Sequence, residues 1–143
     1  MRRKRSNMNG ILSDILENGE DGYYELSENE QAVYNIKNLV DAVNGSGLLS
    51  YYKSAASSYV NDMLDTLYSL GMDEIAAVIE SANAIFPDSY PPEDIAERLE
   101  IISEFEDDYA ALFYEWTDEI LEFISPLECE LEALVEALEN EDE

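Results

Sequence analysis

Ser27-Glu28-Asn29-Glu30-Gln31-Ala32-Val33-Tyr34-Asn35-Ile36-Lys37-Asn38-Leu39-Val40-Asp41-Ala42-Val43-Asn44-Gly45 holds both ends of a helix and its inward face. Ser27-x-x-Glu30 is a capping box, in which each side chain satisfies an amide that the first turn leaves unpaired. Val33, Ile36, Val40 and Val43 recur every three or four residues, the period that lines up side chains on one side of a helix. Asn44-Gly45 supplies a C-terminal stop. Strand-type alternation is absent from this segment, and no convincing run of it occurs elsewhere.

The same period recurs outward in both directions. Upstream, Ile11, Leu12, Ile15 and Leu16 form a short stripe that stops before Asn18-Gly19, and Glu20-Asp21-Gly22 reads as a turn. Downstream, Gly45-Ser46-Gly47 is a flexible break followed by the apolar cluster Leu48, Leu49, Tyr51 and Tyr52. A helix from about Ser58 turns Tyr59, Val60, Met63, Leu64, Leu67 and Leu70 inward and ends at Gly71. The next begins at Asp73 or Glu74, buries Ile75, Val78, Ile79, Ala82 and Phe86, and ends by Pro87. Pro91-Pro92 suits the first turn of another helix, where Ile95, Leu99 and Ile102 lead into the broad stripe Tyr109, Leu112, Phe113, Trp116, Ile120, Phe123 and Ile124. Ser125-Pro126-x-Glu128 reads as a second capping box, opening a last helix with Leu127, Leu131, Leu134, Val135 and Leu138 inward. No internal repeat is visible. The expectation is an all-α fold: a single compact multi-helix domain of six to eight helices over residues 9–138, behind a basic disordered arm (1–8) and ahead of a frayed acidic tail (139–143).

Charge gives the functional direction. The chain has 34 acidic residues against 7 basic ones, for a formal net charge of −27. Arg2, Arg3, Lys4 and Arg5 account for most of the basic residues; Lys37, Lys53 and Arg98 are the others, and none follows Arg98. Disorder requires low hydrophobicity as well as high charge, and at 46 % hydrophobic residues the chain has enough for a core. Such a domain repels nucleic acid and anionic membrane and attracts basic surfaces over long range. With that charge behind it, the Arg2–Arg5 cluster reads as an arm or local counterion rather than a nucleic-acid site.

Composition also excludes chemistry. Without histidine there is no His-based triad and no His-containing zinc site. The lone Cys129 cannot form an internal disulfide, lies between Glu128 and Glu130, and fits a reducing cytoplasm. No apolar run resembles a signal peptide or a membrane span. Phosphate-loop and dinucleotide motifs are missing. The expectation is a cytoplasmic protein that is not an enzyme and needs no cofactor or metal.

The acidic row Glu104, Glu106, Asp107, Asp108, Glu115, Asp118, Glu119 and Glu122 is the candidate site, with Glu104, Asp107, Asp108, Glu115, Asp118, Glu119 and Glu122 as partner-binding residues. As a helix, 104–122 spans about 28 Å, or roughly one charge per 3.5 Å, against one phosphate per about 3.4 Å on a DNA strand. Asp108, Glu115, Glu119 and Glu122 fall within a narrow arc opposite the aromatic stripe. Solvated faces are usually charged too, but they mix signs in i,i+4 pairs, and this row does not. A weaker candidate is Glu17–Glu28, which imitates a calcium loop with Gly22 at position six, Glu25 at nine and Glu28 at twelve. Against it, Gly19 at position three offers no ligand and Ser27 already starts a helix. The ten tyrosines, Tyr34, Tyr59 and Tyr109 among them, mostly read as core rings with hydroxyls at the edge.

The order Asn44-Gly45-Ser46-Gly47-Leu48, then Tyr51-Tyr52 and Ser54, then Leu70-Gly71-Met72, Ala76-Ala77 and Ile85-Phe86-Pro87 resembles a bacterial all-helical family of DNA-mimic proteins, over roughly residues 30–124. That family's motif has Asn-Gly-Gly-aromatic, paired aromatics and an Asn. Here Ser46 stands for a glycine, Leu48 for the aromatic and Ser54 for the Asn, while Tyr51 and Tyr52 match the aromatic pair, which implies that they are core. The resemblance implies a helical fold and a dimer whose carboxylates imitate duplex phosphates in a transcription factor's DNA site. The leading expectation is an interaction protein that occludes the DNA-binding face of a basic protein, without touching nucleic acid or membrane, and as a homodimer. The alternatives are an immunity-type inhibitor of a basic nuclease or toxin, and a calcium-binding protein acting through residues 17–28.

Overall fold

The computed structural model describes residues 8–141. Its helices are α1 Met8–Gly22, α2 Glu28–Asn44, α3 Leu48–Tyr52, α4 Val60–Ser69, α5 Asp73–Asn83, α6 Ile95–Leu121 and α7 Ile124–Glu141, with 3-10 turns at Tyr23–Glu25, Ala55–Tyr59 and Pro87–Ser89. There is no strand among the described residues. The expected all-α domain is what forms. The Arg2–Arg5 arm lies outside the described residues.

Helix α2 is the centre of the packing and meets α1, α3, α4, α6 and α7. Its capping box is present: Glu30 N–H donates to Ser27 Oγ at 3.2 Å and Ser27 N–H to Glu30 Oε1 at 2.9 Å. Val33, Ile36, Leu39, Val40 and Val43 are buried on it. The turn that follows is closed by Gly47 N–H donating to Ala42 O, with Gly47 at φ 106°, a left-handed conformation that glycine adopts without strain. Gly71, which follows the end of α4, also has a positive φ, 74°.

Several boundaries differ from the expectation. Helix α1 does not stop before Asn18-Gly19 but runs to Gly22. Gly19 is buried inside it, where a Cβ would overlap the Tyr34 ring. It is therefore a point of close helix approach rather than a turn. Leu48–Tyr52, expected only as a cluster, is the short helix α3. Pro91-Pro92 precedes α6 rather than opening it; Asp94 is the cap, its Oδ2 accepting from Glu97 N–H at 2.9 Å. Helix α7 begins at Ile124, so Ser125 lies inside its first turn and cannot be its N-cap. It continues to Glu141, past the boundary drawn at Leu138.

Helix α7 docks on α2 and α1 of its own chain, burying Leu127, Leu131, Val135 and Leu138. The apolar stripe of the last helix is thus covered within its own bundle. Leu99 and Leu112, expected inward, are exposed.

The tyrosines organise the interior. Tyr23 stacks on Tyr59 with ring centroids 3.6 Å apart, and Tyr34 meets both edge-on. Tyr51 and Tyr52 are buried as the sequence suggested, and Tyr52 Oη donates to Asn83 Oδ1 at 2.7 Å. Burial holds the hydroxyls of Tyr23, Tyr51 and Tyr52 well above the usual tyrosine range. Arg98, fully buried near the start of α6, ties this centre together. Its guanidinium donates to the carbonyls of Tyr52, the last residue of α3, at 2.9 Å and Ser54 at 2.8 Å, and to those of Pro92 and Glu93.

A candidate acidic interaction face on helix α6

Helix α6 has 27 residues, about 40 Å at 1.5 Å per residue. Arg98, Ile102, Phe105, Phe113 and Ile120 are its buried side, set against α5, α3 and α2. Phe105 stacks in parallel with Phe113 at 6.1 Å, and Phe86 and Trp116 close on them edge-on. That aromatic ridge fixes the rotation of α6 and so decides what faces outward.

What faces outward is the expected row. Glu104, Asp107, Asp108, Glu115, Asp118 and Glu119 are exposed along one side of α6, and Glu122 is exposed immediately beyond its end. At 100° per residue they fall within an arc of about 120°. Glu97 and Glu100 extend the row by two turns toward the N-terminus and are also exposed. They carry the same spacing, but Arg98 stands between them in the chain, and only its burial leaves them continuous with the acidic row.

Two departures matter. Glu106 points to the other flank and pairs with Lys53 on the far side of a groove, Nζ to Oε2 at 2.7 Å. The row is also not continuous: Ala111 occupies its middle, leaving a gap of about 10 Å along the axis between Asp108 and Glu115. The groove, about 230 Å³, runs between α3 and α6 and is lined by Ser46, Leu48, Lys53, Glu106, Phe113 and Tyr114. Tyr114 stands beside the row with 74 % of its surface exposed.

None of the basic residues of 8–141 disturbs this face. Lys37 pairs with Asp41 at 2.9 Å within α2, Lys53 with Glu106, and Arg98 is buried.

The calcium loop is overturned. Its first half, Glu17 to Gly22, is the last part of α1, so those backbone carbonyls point along a helix instead of around an ion. Ser27 caps α2, and Glu30 is turned back onto Ser27 N–H. No group of three potential metal ligands is clustered among the described residues. Nor is any helix among them long and apolar enough to cross a membrane.

The turn at 44–48, which carries the family motif, is built into this region. Leu48 N–H donates to Thr117 Oγ1 of α6 at 2.9 Å, and Gly47 lies against the same threonine. The model of the family described as DMP19-like protein matches residues 24–140. The chain belongs to that family. The match is wider than the sequence resemblance, taking in the last helix as well as the motif turn. In this DMP19-like chain it covers α2 through nearly all of α7 and leaves out α1. No curated protein and no solved structure matches the chain.

Proposed function

We propose that this DMP19-like chain is a DNA mimic that covers the DNA-binding face of a basic protein such as a transcription factor, by occlusion and without chemistry. The observation that carries the reading is the exposed acidic side of α6, held rigid by an aromatic ridge and uninterrupted by any basic residue. With Glu106 turned away, the charges from Glu104 to Glu122 average about one per 4 Å, close to the phosphate repeat of one DNA strand. A partner evolved to neutralise phosphates meets carboxylates at nearly the same pitch, and the field of a −27 chain steers the encounter. A homodimer would have to join through a face other than that of α7, whose apolar stripe is already covered.

The test is capture of a DNA-binding protein from the host, followed by competition with duplex DNA. Duplex should displace the chain, and binding should fall steeply between low and moderate salt. Replacing Asp108, Glu115, Glu119 and Glu122 together by lysine should abolish capture while the circular dichroism spectrum stays helical. Capture unaffected by that fourfold change, or a partner that holds DNA and this chain at once, would overturn the reading.

A further inference from the structure

The break in the acidic row has a character of its own. Where the carboxylates stop at Ala111, Tyr114 stands beside them, 74 % exposed. Its ring and hydroxyl have no partner among the described residues. Tyr24 is as exposed, at 75 %, but leans edge-on against Tyr23 and Tyr59. An exposed aromatic alone on a surface is ordinary. Tyr114 is not alone, because it also forms one edge of the groove between α3 and α6.

That groove suits hydrocarbon. Leu48, Ala110 and Phe113 line it, and its hydroxyls are already committed. Ser50 Oγ donates to Gly47 O at 2.6 Å, while Thr117 Oγ1 donates to Phe113 O at 2.8 Å and accepts from Leu48 N–H at 2.9 Å. The two charges in its lining, Lys53 and Glu106, are paired with each other. On the opposite side of Tyr114 runs the acidic row. Asp118 lies one turn further along α6, about 6 Å along the axis, and Asp107 lies about 10 Å the other way. Side chains on a helix lean toward its N-terminus, so Asp118 leans toward Tyr114.

An apolar stem, a bare aromatic face and a carboxylate beside it are together the requirements of arginine. Its guanidinium is planar and weakly hydrated and stacks on aromatic rings, whereas the ammonium of lysine is a compact, strongly hydrated point charge. A purely apolar side chain would fill the groove but leave the neighbouring carboxylates without a counterion. We propose that Tyr114 and the edge of the groove receive an arginine of the protein partner, its guanidinium flat on the Tyr114 ring and bonded to Asp118, its methylenes against Ala110. The inference rests on the reading of α6 as the face that a basic partner meets. It adds a short-range preference for arginine to a surface that otherwise recognises charge.

The experiment is a titration of the full chain with three peptides, each of eight lysines around a central arginine, lysine or leucine, at one fixed ionic strength. The arginine peptide should bind about twofold to fivefold tighter than the all-lysine peptide of equal charge, and should move the Tyr114 ring resonances saturably. Tyr114→Leu should erase that advantage and leave the all-lysine peptide unchanged; at this exposure the substitution does not threaten folding. Tyr114→Phe should keep the advantage, because the ring and not the hydroxyl provides it. An arginine advantage that survives Tyr114→Leu overturns the proposal, since carboxylates alone would then be its source. So does its loss in Tyr114→Phe. Tightest binding by the leucine peptide also overturns it and gives the groove to an apolar side chain. The DNA-mimic reading fails separately, when no DNA-binding protein is captured or duplex does not compete.

Discussion

Arg98 shows how much one residue's environment can hide from its letter. In the sequence it is only the last basic residue before a long acidic run. In the fold it is completely buried and donates to the carbonyls of Tyr52, Ser54, Pro92 and Glu93. Replacing it by methionine would strand several of these acceptors, so Arg98→Met should lower the unfolding free energy by about 3 kcal/mol or more. Arg98→Lys should not restore it, because three donors on a point charge cannot reach what a fork of five reaches. Urea midpoints of the three proteins decide this. The buried tyrosines make a second prediction at this scale. Tyr23, Tyr51 and Tyr52 keep their protons in the folded state at pH values where the unfolded chain has lost them. Their contribution is therefore complete below about pH 10 and is lost as pH rises above it, by up to about 1.4 kcal/mol per group per pH unit. Urea midpoints should be insensitive to these groups up to about pH 10 and drop beyond it. Phenolate absorbance from these three should appear only together with unfolding; its appearance in a still-helical protein would contradict the assignment.

At the scale of elements, α7 is the instructive case. Its spacing showed an apolar stripe plainly, yet spacing cannot say whether a stripe meets its own bundle or a second molecule. The structure places Leu127, Leu131, Val135 and Leu138 against α2 and α1. Leu127→Ala should then cost about 2–5 kcal/mol, with a thermal midpoint that does not change on dilution. A concentration-dependent midpoint would instead mean that α7 stabilises an assembly. The capping box of α2 is a smaller and cleaner element. Ser27→Ala should destabilise by about 1 kcal/mol, measured by urea unfolding, and the loss should be local because Ser27 is exposed.

Across the whole molecule, 34 acids against 7 bases make self-repulsion a standing cost of compactness. Added sodium chloride should raise the melting temperature by screening that repulsion. The same salt should weaken capture of a basic partner. Stability and binding are thus expected to respond to ionic strength with opposite signs, and parallel melts and binding measurements across one salt series check it. A melting temperature that falls with salt would show that pairs such as Lys53 with Glu106 matter more than the net charge.

What the sequence determined by itself was the helical class, most helix centres, the buried identity of Tyr51 and Tyr52, and the acidic side of α6. The burial of Tyr51 and Tyr52 follows from the aromatic pair of the family motif, and the rest from a local period of three to four residues or from charge counted along the chain, which survive whatever the helices pack against. Helix ends were less secure. Asn18-Gly19 carries a stop signal in isolation, but Gly19 serves instead to let α1 approach Tyr34 of α2, and close packing carried the helix on to Gly22. Only the tertiary structure decided the burial of Arg98, the docking of α7 and the turning of Glu106 toward Lys53. It alone joined Tyr23, Asn35 and Asp62, Asn35 Nδ2 donating to Tyr23 Oη and Tyr23 Oη to Asp62 Oδ2, each at 2.8 Å. Those outcomes depend on residues far apart in the chain meeting at distances of a hydrogen bond, and no local spacing records them.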